Sequence, residues 1–170
     1  MKFELTRQNC LLANFNPRRE LHGDNPEPAA DVTLSTNLPS AELAQFHPTL
    51  RNFLYHFDSS KADLADQASE DDAPHLRIPE LKYPLGFEGE VIGAKVTIHY
   101  GTTDKSAIVL TGCNLSNFKI DPKDGGTITV GFRVQAHPDE KQAGKIYTMQ
   151  GLQVEVSVEP PQADPELTED

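Results

Sequence analysis

The sequence predicts a mainly β protein, an antiparallel β-sandwich with a short helical insertion. Three observations carry that reading. Apolar and polar residues alternate strictly through Ile128, Val130, Phe132 and Val134, and again through Leu152, Val154, Val156 and Val158, the period of a half-buried strand. Turn-forming runs divide the C-terminal half at the spacing of a sandwich. Over residues 40–57 the apolar period lengthens to that of a helix.

Taken in order, Lys2–Asn14 alternates loosely as one or two strands through Phe3, Leu5, Leu11 and Leu12, and Asp31–Thr36 offers Val32 and Leu34 as another. Between them, Asn14–Asp31 holds three prolines and Gly23 and reads as a long connection. In the helical stretch, Leu50, Phe53, Leu54 and Phe57 stand at i, i+3, i+4 and i+7, with Pro48 near the start. Leu43 and Phe46 add a short turn before them, and the pair is expected across one open face or end of the sandwich. Val91, Ala94, Val96 and Ile98 form the next strand, Gly101–Asp104 turns it, and Ala107–Leu110 returns. A further strand with Leu115, Phe118 and Ile120 enters the turn Asp121–Gly126. There Pro122 presets φ, and Gly125 or Gly126 supplies the positive φ that closes a hairpin. From Lys145 to Glu159 the chain reads as the last strand.

At 170 residues the chain suits one compact domain, assigned to residues 1–158. Its net charge of −11 comes from 15 basic against 26 acidic side chains. Nearly all of the excess sits in two stretches poor in apolar residues, 58–74 and 159–170, each with a net charge of −5. Neither offers enough apolar surface to offset chain entropy, so an acidic flexible loop and a disordered acidic tail are expected. Asp63, Asp66, Glu70, Asp71 and Asp72 make the loop a candidate for engaging a basic channel on a partner; the alternative is a solvated, solubilising loop. With no run of 18 apolar residues and no apolar segment in MKFELTRQNC, neither a membrane span nor a secretory signal is expected, which points to the cytoplasm. Cys10 and Cys113 are too few for a disulfide scaffold and read as small core residues.

Motifs of phosphate-binding loops, dinucleotide folds, nucleophile elbows and zinc proteases are absent from the sequence. Six histidines occur and no two are spaced i, i+4; His22-Gly23-Asp24 and His56-Phe57-Asp58 come nearest to an acid/base or metal couple. No enzyme, metal or cofactor is therefore expected. The most distinctive stretch is NFNPRRELHGDNPEPAAD, residues 14–31. It reads either as a connection whose Arg18 and Arg19 pair with Glu20 and Asp24, or as a rigid loop presenting Arg18, Arg19 and His22 to an anion or acidic partner.

The run Asn16–Asp24 followed by Pro28–Asp31, together with Phe46–Tyr55 and Asp121–Gln135, resembles a family of small proteins of tailed bacteriophages and prophages. The resemblance spans most of residues 1–158. It implies a phage gene, often near recombination or other early DNA-metabolism genes, and no particular activity. Three functions follow as expectations. The first is a non-enzymatic module acting by protein–protein contact on a host complex, such as a defence nuclease, or on a phage nucleic-acid-handling complex. The second is a single-stranded-DNA-binding accessory, in which Arg18, Arg19, Lys119, Lys123 and Arg133, with Arg7, Lys141 and Lys145, would line the strand. The third is a virion component such as a capsid decoration or tail protein. A dimer through an exposed edge strand is open to any of them.

Overall fold

The computed structural model describes residues 1–57 and 73–162. Its strands are β1 (Leu5–His22), β2 (Asn25–Pro39), β3 (Tyr55–His56), β4 (His75–Leu76), β5 (Leu85–Phe87), β6 (Val91–His99), β7 (Ile108–Pro122), β8 (Thr127–Ala136) and β9 (Gln153–Glu159). Two helices, α1 (Leu50–Leu54) and α2 (Glu140–Thr148), and a 3-10 segment at Ser40–Gln45 complete the described elements of interest. The acidic-loop residues Asp63, Asp66, Glu70, Asp71 and Asp72 and the tail from residue 163 lie outside the described residues. Glu159, counted with the tail on composition, is instead the last residue of β9, where it pairs with Lys95 at 3.1 Å.

The mainly β expectation holds, but the two separate sheets of a sandwich are replaced by one closed barrel. Six strands join antiparallel in the ring β6-β9-β1-β2-β8-β7, and β5 adds to β7 beside the end of β6. Closure is achieved by β7, which the alternation breaks into two pieces but which runs unbroken for 15 residues. Its first half pairs with β6 through Ile108–Leu115, and its second half pairs with β8 through Asn114–Pro122. Bulges in β1, β6 and β7 bend the sheet enough for its two edges to meet. Each edge thereby satisfies the backbone donors and acceptors of the other, and the strand edges left among the described residues include β5 and the outer ends of β1 and β2.

Inward residues fill the barrel as the alternation requires: Val32, Leu34, Val96, Ile98, Leu115, Ile120, Val130, Phe132, Val134, Val156 and Val158 are all buried. One end is closed by an aromatic knot. Phe3 meets Phe118 and Phe132 with ring centroids 5.2 Å apart in each case, and Phe46 meets Phe118 at 5.5 Å and Phe87 at 5.3 Å. The helical insertion lies over this end, contributing Leu43, Phe46, Leu54 and Tyr55 to the core, but its helix ends at Leu54, where Tyr55–His56 turns to strand, and Phe53 and Phe57 of the expected apolar face are exposed. Tyr55 pins it there, its hydroxyl donating to the Lys123 carbonyl at 2.7 Å inside the β7–β8 turn. Burial pushes that phenol up to about 12. Tyr55→Phe keeps the ring and removes the tie, so a loss of about 1 kcal/mol is expected, read as a shift of the urea midpoint at unchanged slope.

The opposite end is covered by α2, where the sequence reading placed strand from Lys145. Asp139 and Gln142 form a reciprocal capping box, and Ile146 and Met149 are buried against the barrel. The last strand begins only at Gln153, leaving Leu152 more than half exposed. No helix among the described residues is long and apolar enough to cross a membrane.

Candidate functional site

Residues 14–31, expected as a connection or loop, are strand except for the turn at Gly23-Asp24. β1 and β2 pair from Cys10↔Thr36 to His22↔Asn25, whereas β8 accompanies β2 only as far as Ala30↔Ala136 and β9 leaves β1 at Leu11. The five outermost pairs, Arg18↔Ala29 to His22↔Asn25, therefore project as a two-stranded ribbon about 16–17 Å long. Gly23-Asp24 closes it. Positive φ at Gly23 (65°) and not at Asp24 is the pattern of a type II′ turn, which matches the twist of a hairpin.

The prolines that argue for a loop in fact fit the ladder. Pro17↔Ala30, Arg19↔Pro28 and Leu21↔Pro26 fall on every second pair. In an antiparallel ladder these are the pairs that need no N–H from either partner, so Pro17, Pro26 and Pro28 cost nothing inside the ribbon. They do remove outward N–H groups from both of its edges. Such an edge resists strand addition, leaving the side-chain faces as the contact surface.

Alternation then divides the motif. Arg18, Glu20 and His22 stand on one face of β1, and Arg19 and Leu21 on the other, so the expected joint presentation of Arg18, Arg19 and His22 does not occur. On the first face Arg18 binds Asp31 through Nε and Nη2, at 3.3 and 3.2 Å, and pairs with Oε1 of Glu20. Its partners are thus Glu20 and Asp31, not Asp24. His137, just beyond β8, donates from Nε2 to Oε2 of Glu20 at 2.9 Å. That bond and the Arg18 guanidinium hold the Glu20 carboxyl down to about 2. His22 Nε2 lies 3.7 Å from Glu20 and 3.8 Å from Glu27, which sits directly across the ladder from Glu20. The second face carries Arg19 and Leu21, the latter 76% exposed. Near its base a hollow of about 270 Å³ is bounded by Phe15, Pro17, Arg19, Pro28, Pro138 and Ala143.

The other expected basic residues do not join this region. Lys123 lies in the β7–β8 turn, paired with Asp121 at 2.7 Å, at the far end of β8 from the ribbon. Lys119 is exposed on β7 opposite Gly131. Arg133, midway along β8, borders a second hollow with Glu88 and Glu90, its buried Nε without a partner among the described residues. Arg7 faces Glu155. His56 lies beside His75, with centroids 5.7 Å apart and rings tilted by 38°, and His75 meets Asp124 at 3.3 Å; Asp58, the expected partner of His56, lies outside the described residues. Cys10 and Cys113 are buried, and burial pushes both thiols up to about 11.

The residue that sequence reasoning missed is His137. It stands 117 positions from Glu20, and only the β2–β8 register brings the two together. No family model, curated protein or solved structure matches this chain.

Proposed function

We propose that the chain is a non-catalytic binding protein that engages a protein partner through the β1–β2 ribbon. The observation that carries this is the ribbon itself, a rigid projection with proline-blunted edges and an exposed face built from Leu21, Arg19 and three prolines. An exposed apolar side chain beside an arginine, on a scaffold that loses little entropy on docking, is the composition of an interface anchor. In the phage setting that the motif's resemblance implies, the partner is a host or phage complex that handles nucleic acid, met in the bacterial cytoplasm. Direct binding of single-stranded DNA draws less support. Arg18 and Lys123 are ion-paired, Lys119 and Arg133 lie on other parts of the barrel, and Phe3, Phe118 and Phe132 are spent on the core.

A photo-crosslinking residue at position 21, compared with one at exposed position 92 on β6 across the barrel, tests the proposal in bacterial lysate. Crosslinks to a defined protein from position 21 alone, lost in Arg19→Glu, are expected. Equal labelling from both positions removes the ribbon from the mechanism. Salt-sensitive binding to labelled single-stranded DNA without a ribbon crosslink transfers the function to the nucleic-acid reading.

A further inference from the structure

We propose that Glu20, His22 and His137 form a binding site for a divalent metal ion of the zinc class, with Glu27 within reach as the fourth ligand. One carboxylate oxygen and one imidazole nitrogen from each histidine lie within 4.8 Å of one another. Tetrahedral zinc with bonds of about 2.0–2.1 Å needs its ligand atoms about 3.3 Å apart. The 2.9 Å and 3.7 Å separations of Glu20 Oε2 from His137 and His22 bracket that value. Small side-chain rotations are enough to seat the ion.

Several independent features favour a cation here. Glu20 and Glu27 face each other directly across the ladder, an arrangement that like charges destabilise. This face sets one guanidinium, Arg18, against the carboxylates of Glu20, Glu27 and Asp31, so a divalent ion brings it to balance. The outer oxygen of Glu20 is already fixed by Arg18, which Asp31 holds in turn, the kind of supporting shell that orients a metal-binding carboxylate. His137 is positioned from both sides, by the end of β8 and by the capping box that starts α2 two residues later. Two imidazoles among the donors select zinc and its neighbours over calcium or magnesium, which prefer oxygen alone. On binding, the ion takes the place of the Nε2 proton that His137 donates to Glu20; that proton leaves as Nδ1 takes one up, so the imidazole stays neutral. The site bridges the ribbon to the barrel, so occupancy fixes the ribbon's angle, whether or not the ribbon docks on a partner.

The untagged full-length chain, stripped with chelator, is titrated with zinc alone and with cobalt(II) as the spectroscopic substitute. One equivalent per chain is expected, with the intense visible absorption of tetrahedral cobalt. His22→Ala and His137→Ala each weaken binding at least tenfold, and a hundredfold excess of zinc over its dissociation constant raises the melting temperature by roughly 5–10 °C in the parent chain only. These side chains are exposed or partly exposed and outside the core, and unchanged circular dichroism of the variants confirms their folding. Failure to bind, the weak spectrum of octahedral cobalt, or affinity unchanged in both histidine variants overturns the proposal. Because the acidic stretches 58–74 and 159–170 also attract cations, calcium is titrated in parallel. Calcium matching zinc in affinity and stoichiometry likewise overturns it.

Discussion

Phe118→Ala is expected to destabilise the protein by about 3–5 kcal/mol, the cost of removing a buried aromatic ring whose cavity the surroundings cannot refill. Phe118 touches Phe3, Phe46 and Phe132 at once, so its loss takes one ring contact from each of the three. It also sits on β7 where that strand passes from β6 to β5 and β8, and the knot therefore braces the closure of the barrel. Against a total of about 5–15 kcal/mol, this single change removes a large share of the stability. Chemical denaturation followed by circular dichroism reads the effect. Phe118→Leu, which refills most of the volume, is expected to cost markedly less. Equal costs for the two variants would mean that the knot is not packed as described.

The same strand shows where sequence reading reaches its limit. Alternation identified nearly every inward residue of β6, β8 and β9, because the physical demand of a half-buried strand is local. Closure is not local. Whether two sheet edges meet depends on bulges and on the reach of one long strand, and a period of two is the same in a sandwich and in a barrel. The ribbon failed for a different reason. Prolines ordinarily demote a strand, but Pro17, Pro26 and Pro28 sit on alternate pairs where the ladder asks no N–H of them. Gly23-Asp24, the first central glycine of a two-residue turn, was the available signal for the hairpin.

Half of the candidate site was legible. Arg18 and His22 were singled out and do share a face with Glu20, but Arg19 does not, and its separation follows from the strand period alone. His137 and Asp31 could not be joined to them from spacing, since both reach the cluster through the β1–β2–β8 register. The acidic stretches that dominate the charge fall largely outside the described residues. Lys119, Lys123 and Arg133 were linked to Arg18 by charge alone, and charge does not bring residues together across a barrel.

The helix α2 sets up the second large effect. Ile146→Ala is expected to cost about 2–5 kcal/mol, while Lys145→Ala next to it changes stability by no more than about 0.5 kcal/mol. The contrast follows from the helix's two faces, with Ile146 completely buried and Lys145 partly exposed. Ala143, Ile146 and Met149 recur every third residue along the buried side, a helical period beginning at the Asp139–Gln142 capping box. Those signals were present in the sequence but were overshadowed by the strict alternation of Leu152–Val158, which drew the strand back across the helix. The outcome bears on the ribbon as well. His137 lies between β8 and α2, so loosening the helix at Ile146 also loosens the imidazole that meets Glu20. Ile146→Ala should therefore weaken zinc binding under conditions where the barrel is still folded. Loss of stability without that weakening would mean that β8 alone positions His137.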